Sequence, residues 1–149
     1  MTARWDLGAY RAARPGPRFA DLREGDVHAV VGGDVVSCAP ELARLTGNVA
    51  RVHHDADYGA GPDGRLVYGG HTIGLALHQA VRALPNLLTV VGWHGCDHLA
   101  PVREGDTLTS TVTVERTEPM ADGGLAHLRS RVRTGDTDVL DWRFVAALA

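Results

Sequence analysis

The stretch Thr72-Ile73-Gly74-Leu75-Ala76-Leu77-His78-Gln79-Ala80-Val81-Arg82-Ala83-Leu84, closed by Pro85, decides the reading of the fold. Ile73, Leu77, Ala80, Val81 and Leu84 recur at helical spacing and define one apolar face. Gly74, Leu75, Ala76 and Ala83 leave most of the remaining surface apolar or small, and a helix of that kind is buried. Pro85 ends it, because the residue before a proline is pushed out of the helical region. Everything beyond Pro85 reads as strand. Leu87 to Gly92 is a continuous apolar run. Over Thr107 to Thr117, Leu108, Val112 and Val114 oppose the threonines. Over Leu125 to Arg133, Ala126, Leu128, Ser130 and Val132 oppose His127, Arg129, Arg131 and Arg133. Over Asp138 to Ala146, Leu140, Trp142, Phe144 and Ala146 share a face. Such alternation marks a sheet with one dry and one wetter face. Thr134-Gly135-Asp136 makes a hairpin of the last two strands.

Upstream of the helix, Met1 to Arg18 reads as an irregular arm ending at Pro15-Gly16-Pro17. A first strand is expected over about Val27 to Val36. Ser37 is a candidate N-cap for a short helix from Pro40 to Leu45, which Gly47 stops. The sum is an α+β chain: one long buried helix against an antiparallel sheet of four or five strands, a single domain over residues 19–149. One sheet covers one side of a helix, whereas this helix wants cover on nearly all sides. A second subunit is therefore expected to complete the burial, which is the logic of a hot-dog fold.

The 149 residues suit one core, and 44% hydrophobic with 22% charged residues is ordinary for a globular protein. A net charge of -3 argues against a nucleic-acid binder. No apolar run is long enough to span a membrane, and the N-terminus lacks the apolar region of a secretory signal. Cys38 and Cys96 do not make a disulfide framework, and two reduced, partly buried thiols in a cytoplasmic protein are expected.

Three constellations carry candidate chemistry. The first is Asn48, Arg51, His53, His54, Asp55, Asp57 and Tyr58, followed by a loop rich in glycine (Gly59, Gly61, Gly64, Gly69, Gly70). A polar loop of that length is more often functional than idle, and a histidine there suits a general base near neutral pH; a His-rich surface loop is the plain alternative. The second is Gly69-Gly70-His71-Thr72. Free N–H groups at a helix start, approached closely across glycine, can face a developing oxyanion, although an ordinary glycine-rich helix entry gives the same letters. A base and an oxyanion donor together suit chemistry on a carbonyl compound. The third is His94, Cys96 and His98, which share one face on a regular strand. A zinc site is conceivable there but lacks the usual four ligands, and no metal is expected. The stripe His127, Arg129, Arg131 and Arg133 reads as a solvated strand face, with a cradle for nucleotide phosphates as the functional alternative.

These motifs, in this order, resemble MaoC-like (R)-specific enoyl-CoA hydratases and dehydratases. Phe19-Ala-Asp-Leu-Arg-Glu-Gly-Asp26 is similar to their opening. Leu45-Thr-Gly-Asn-Val-Ala-Arg-Val-His-His-Asp-Ala-Asp-Tyr58 resembles their hydratase motif, and Leu66-Val-Tyr-Gly-Gly-His-Thr-Ile-Gly74 the start of their central helix. Ala100-Pro-Val-Arg-Glu-Gly-Asp-Thr-Leu108 resembles a turn between two of their strands. The match runs over roughly residues 19–146 and is nearest the branch of mesaconyl-CoA and itaconyl-CoA hydratases. The resemblance implies a hot-dog fold, a homodimer or higher oligomer, an acyl-CoA or acyl-carrier-protein thioester as substrate, and reversible addition of water to its 2,3-double bond without metal or organic cofactor. Neither a nucleic acid nor a membrane is implied as a partner. It places His53 at the family's catalytic histidine and Gly70 at the glycine whose N–H polarises the thioester carbonyl, with His71 beside it. Arg51, Asp55, Tyr68 and Gly69 fall where the acyl chain would bind, Arg51 matching a branched dicarboxylic one. Asn48 stands where the family has a catalytic aspartate, and Ala50-Arg51 replaces its Asn-Pro. Three consequences are open: His53 works alone with Asn48 holding the water, Asp55 or His71 supplies the second proton-transfer group, or the chain is a weak or non-catalytic thioester-binding subunit. Thioester hydrolysis on the same fold is the remaining alternative.

Overall fold

The structure, a computed structural model, describes residues 7–55, 57–58 and 65–149. Its elements are α1 (Gly8–Ala13), β1 (Val27–Ala29), β2 (Asp34–Val35), α2 (Ala39–Leu45), α3 (Gly69–Ala83), β3 (Leu87–His98), β4 (Thr107–Pro119), β5 (Gly124–Thr134) and β6 (Thr137–Leu148). All six strands form one antiparallel sheet in the order β1-β4-β5-β6-β3, with β2 also on β4. The helix α3 lies across this sheet, about 22 Å long at 1.5 Å per residue. This is the hot-dog architecture.

The alternation along β4, β5 and β6 sorts the faces as expected. Leu108, Val112, Val114, Ala126, Leu128, Val132, Leu140, Trp142, Phe144 and Ala146 are buried together under α3. Full burial of each large apolar side chain favours folding by about 1.5–3 kcal/mol. Trp142 stacks on Phe144 at 3.9 Å between ring centroids, and Trp93 meets Trp142 edge-on at 5.2 Å.

Four expectations are corrected. The N-terminal arm is not wholly irregular: Gly8–Ala13 is helical and tied down. The Tyr10 hydroxyl donates to the Pro85 carbonyl at 3.2 Å, and the buried Asn86 amide donates to the carbonyls of Gly16 and Pro17 at 3.2 and 3.0 Å. Tertiary contacts supply what the local sequence lacks. The first strand is broken into β1 and β2, because the chain turns at Gly32, whose φ of +77° belongs to glycine. The sheet therefore has six strands rather than four or five. The cap position before α2 is Cys38 rather than Ser37, in a left-handed conformation with no side-chain cap bond.

The face that α3 turns to the sheet also shifts. Its fully buried residues are Thr72, Ala76, Gln79 and Ala80, and Ile73, Leu77 and Val81 flank them. Gly74, His78 and Arg82, four apart, form the exposed stripe. Small residues let the helix lie close to the sheet. Gln79 belongs to the buried face because it finds partners. Its amide donates to Asp34 Oδ2 at 2.6 Å and to the Leu108 carbonyl at 2.8 Å, and it accepts from the Ser110 hydroxyl. Arg82 donates to Asp34 and to the carbonyls of Val31 and Gly32. Replacing Gln79 by alanine strands the Leu108 carbonyl and the Ser110 hydroxyl in the core. At about 1–3 kcal/mol for each unsatisfied group, the expected loss is about 2–5 kcal/mol, read as a lower urea midpoint at unchanged slope.

Candidate active site

Two backbone couplings build the site. Leu66 forms an antiparallel bridge with Arg103, and the Val67 N–H donates to the Val102 carbonyl at 2.9 Å. They lay the entry to α3 alongside residues 98–102, which leave β3. The turn that follows is closed by Asp106, which accepts from the Arg103 N–H at 2.8 Å, while the Gly105 N–H donates to Val36. A cavity of about 420 Å³ opens at this junction, lined by His53, Leu66, Gly69, Thr72, His98 and Val102 among others.

His53 ends a single 3-10 turn, Arg51–His53. Its Nδ1–H donates to the Leu66 carbonyl at 3.0 Å. That bond fixes the tautomer: a carbonyl only accepts, so Nδ1 carries the proton and Nε2 keeps a lone pair. Half-buried and held in this way, His53 lines the cavity.

Opposite stands the start of α3. Gly69 and Gly70 lead the helix, so their N–H groups have no carbonyl one turn back. The N–H of His71 does have a partner, the Tyr68 carbonyl at 2.8 Å, which removes it as an oxyanion donor. Both glycines are required by neighbours rather than by backbone angles. A Cβ on Gly70 would stand 2.5 Å from the Tyr68 ring, and one on Gly69 would stand 2.6 Å from Nε2 of His98. The Tyr68 ring also faces that of His53, with centroids 5.8 Å apart.

The other candidates are placed differently. Asn48 folds onto its own loop: its Oδ1 accepts from the Ala50 N–H at 3.0 Å, and its carbonyl meets Nε2 of His54 at 2.5 Å. It does not line the cavity. Arg51 is paired with Asp55 at 2.6 Å and lies over the Tyr58 ring, 4.5 Å from its centroid, so its charge is matched locally and exposed. The hydrogen bond from Arg51 holds the Asp55 carboxyl below its ordinary value and makes it a poor proton donor. Burial lowers the pKa of His71, against an opposing pull from Glu104, and among the described residues its buried Nδ1 has no hydrogen-bond partner. Gly59, Gly61 and Gly64 lie outside the described residues.

The His94–Cys96–His98 set does not converge. A register shift between Trp93 and Gly95 breaks the alternation of β3. Cys96 packs against the core and Trp93 touches Trp142 edge-on from an exposed position, whereas His94 stacks on His127, its Nε2 2.8 Å from Nδ1 of that residue. His98 goes instead to the start of α3. Among the described residues no group of three His, Cys, Asp or Glu is arranged to hold a metal. Cys38 and Cys96 are both free, Cys38 exposed rather than partly buried. The arginine stripe is spent on carboxylates. Arg129 pairs with Asp141, Arg131 and Arg133 with Asp138, and Arg143 with Glu115. The Arg129 guanidinium holds the Asp141 carboxyl below its usual value. Little charge is left over for a phosphate. Sequence reasoning thus passed over His98 as a residue of this site, because it was read as a strand ligand; its place just before Leu99-Ala100-Pro101, in the motif that runs past the helix start, was the available signal.

One antiparallel sheet wrapped on a long central helix defines a hot-dog domain. The particular relatives sharpen this. Mesaconyl-CoA hydratase of Cereibacter sphaeroides is 35% identical over 118 residues, 77% of this chain and 34% of that protein. A Mycobacterium tuberculosis protein with a double hot-dog fold is 51% identical and superposes with a TM-score of 0.85 over 97% of this chain and 45% of its own. A MaoC-domain protein of Chloroflexus aurantiacus, 20% identical, superposes at 0.84 over 97% of this chain and 47% of its own, which shows the shared fold. No family model matches. In sequence and in its hot-dog fold the chain is similar to these proteins, and it spans less than half the length of all three.

Proposed function

We propose that the chain is a hydro-lyase that adds water reversibly to the 2,3-double bond of a short enoyl-CoA. The observation that carries this reading is one cavity lined both by His53, whose Nδ1 is held by the Leu66 carbonyl, and by Gly69, the first residue of α3. Water held at Nε2 gives its proton to His53 while its oxygen bonds to Cβ. The π electrons move onto the thioester oxygen, which the N–H groups of Gly69 and Gly70 receive as an enolate. His53 then returns the proton to Cα, so the water's atoms are all accounted for and both enter from one side. One base suffices in this scheme, which fits a site where Asn48 is engaged in its own loop and Asp55 by Arg51.

The likeness to mesaconyl-CoA hydratase supports a branched dicarboxylic acyl group as the substrate. The free thiols of Cys38 and Cys96 support a reducing, cytoplasmic setting, and no described helix is long and apolar enough to cross a membrane. A second hot-dog domain, as a homodimer partner, is the occupant we assign to the β3 edge. That edge exposes Val91 and Trp93 at 54% and 55%, and the double hot-dog relative supports a paired arrangement. The test is a thioester panel of mesaconyl-, itaconyl- and crotonyl-CoA. Loss of enoyl absorbance is expected for at least one. Release of free thiol instead would assign hydrolysis, and no change with any of them overturns the reading.

A further inference from the structure

His98 ends β3 and leans on the first residue of α3. Its Nε2 lies 2.6 Å, and its Cε1 2.9 Å, from the point a Cβ on Gly69 would occupy. The tip of the ring thus fills the space a side chain at Gly69 would take, beside the N–H groups that lead the helix. Among the described residues that line the cavity, His53 and His98 are the titratable ones. His53 is turned by Leu66 to act as a base. His98 approaches from the opposite strand, nitrogen foremost, at the end where negative charge would collect.

The geometry points to His98 as a side-chain donor to the thioester carbonyl oxygen: its Nε2–H acts beside the N–H groups of Gly69 and Gly70. This rests on the hydration reading above and deepens it. Backbone N–H groups at a helix start are fixed in direction, and a nitrogen pressed against the same glycine adds a third direction of approach to the same oxygen. The inference also gives the glycine at 69 a reason. Any side chain there would push the imidazole off the helix start. Losing one preorganised donor from such a site lowers turnover by about 10²–10³-fold while ground-state binding changes little.

The test uses a chromophoric substrate analogue, 4-dimethylaminocinnamoyl-CoA, whose absorption moves to longer wavelength as its carbonyl is polarised. With the whole chain, bound analogue is expected to show that shift. His53→Ala is expected to keep it, since the base does not touch the carbonyl. His98→Phe retains a flat ring without the donor, and is expected to bind the analogue yet lose a large part of the shift. It should also lower kcat for the enoyl-CoA about 10²-fold at a nearly unchanged KM. His98→Gln restores an N–H near the same place and is expected to recover part of both. A full shift and unchanged kcat in His98→Phe overturn the role of His98 and leave the hydration reading standing. Bound analogue with no shift in the unaltered protein overturns carbonyl activation at the helix start, and the role of His98 with it.

Discussion

Replacing His53 by alanine is expected to lower enoyl-CoA hydration by about 10²–10⁴-fold, the usual worth of a positioned general base. The loss should fall on kcat, because the side chain exchanges a proton with water rather than holding the acyl group. The fold has little reason to suffer. His53 is half-buried on a single 3-10 turn, and the bond it gives up is one to the Leu66 carbonyl. Initial rates at saturating substrate, with a thermal melt as control, decide the matter. A variant as active as the unaltered chain would remove His53 from the mechanism. Asparagine at 53 is the informative companion. It has an N–H to offer Leu66 but no basic nitrogen, so it should be as inactive as alanine.

The second large effect is expected at Gly70. Alanine there brings Cβ to 2.5–2.8 Å from the far atoms of the Tyr68 ring. No left-handed backbone is involved, so the conflict is one of space alone. The phenol is the end of a movable side chain, and it gives way before the helix does. Stability should therefore change by less than about 1 kcal/mol. Activity should not escape, because the new methyl group and the displaced ring both crowd the N–H groups that receive the enolate, and the ring moves relative to His53, 5.8 Å away. A loss of about 10²-fold or more is expected. Trimming the obstacle makes the argument specific: in a Gly70→Ala, Tyr68→Ala double variant, part of the loss should return, a coupling that a double-mutant cycle reads directly. Strict additivity of the two single losses would show that the ring is not the cause.

Much of this was legible because it depends on local periodicity. The period-two alternation of β4, β5 and β6 needs no distant information, and neither does the run from Thr72 to Pro85. What escaped depends on contacts far apart in sequence. Gln79 looks like a solvent position until Ser110 and Asp34 are brought to it. The segment Gly8–Ala13 gives no helical signal strong enough to stand alone, and it forms where Tyr10 meets the end of α3. At the site, motif resemblance names His53 and Gly70; the cavity is lined by His53 with Gly69 and Thr72 of the helix start, and Gly70 is not part of its lining. Arg51 and Asp55 were read as binding residues one at a time. Four residues apart on one turn, they satisfy each other first. His94 was grouped with Cys96 and His98 on the assumption of an unbroken pleat, which the register shift between Trp93 and Gly95 undoes.

The outer face of the sheet has a consequence for how the chain finds its pairing. Arg129, Arg131 and Arg133 of β5 each meet a carboxylate of β6, and Arg143 of β6 reaches past β5 to Glu115 of β4. Exposed pairs of this kind add little to equilibrium stability. They do discriminate between alignments. Slide β5 by one residue against β6, and the arginines turn toward α3 while Leu128 and Val132 face water. Slide it by two, and the apolar side chains stay inside while the charges change partners: one way Arg129 comes opposite Asp141, the other way Arg131 comes opposite Arg143. The hydrophobic core rejects odd errors, and the charges weigh against the even one that sets two arginines face to face.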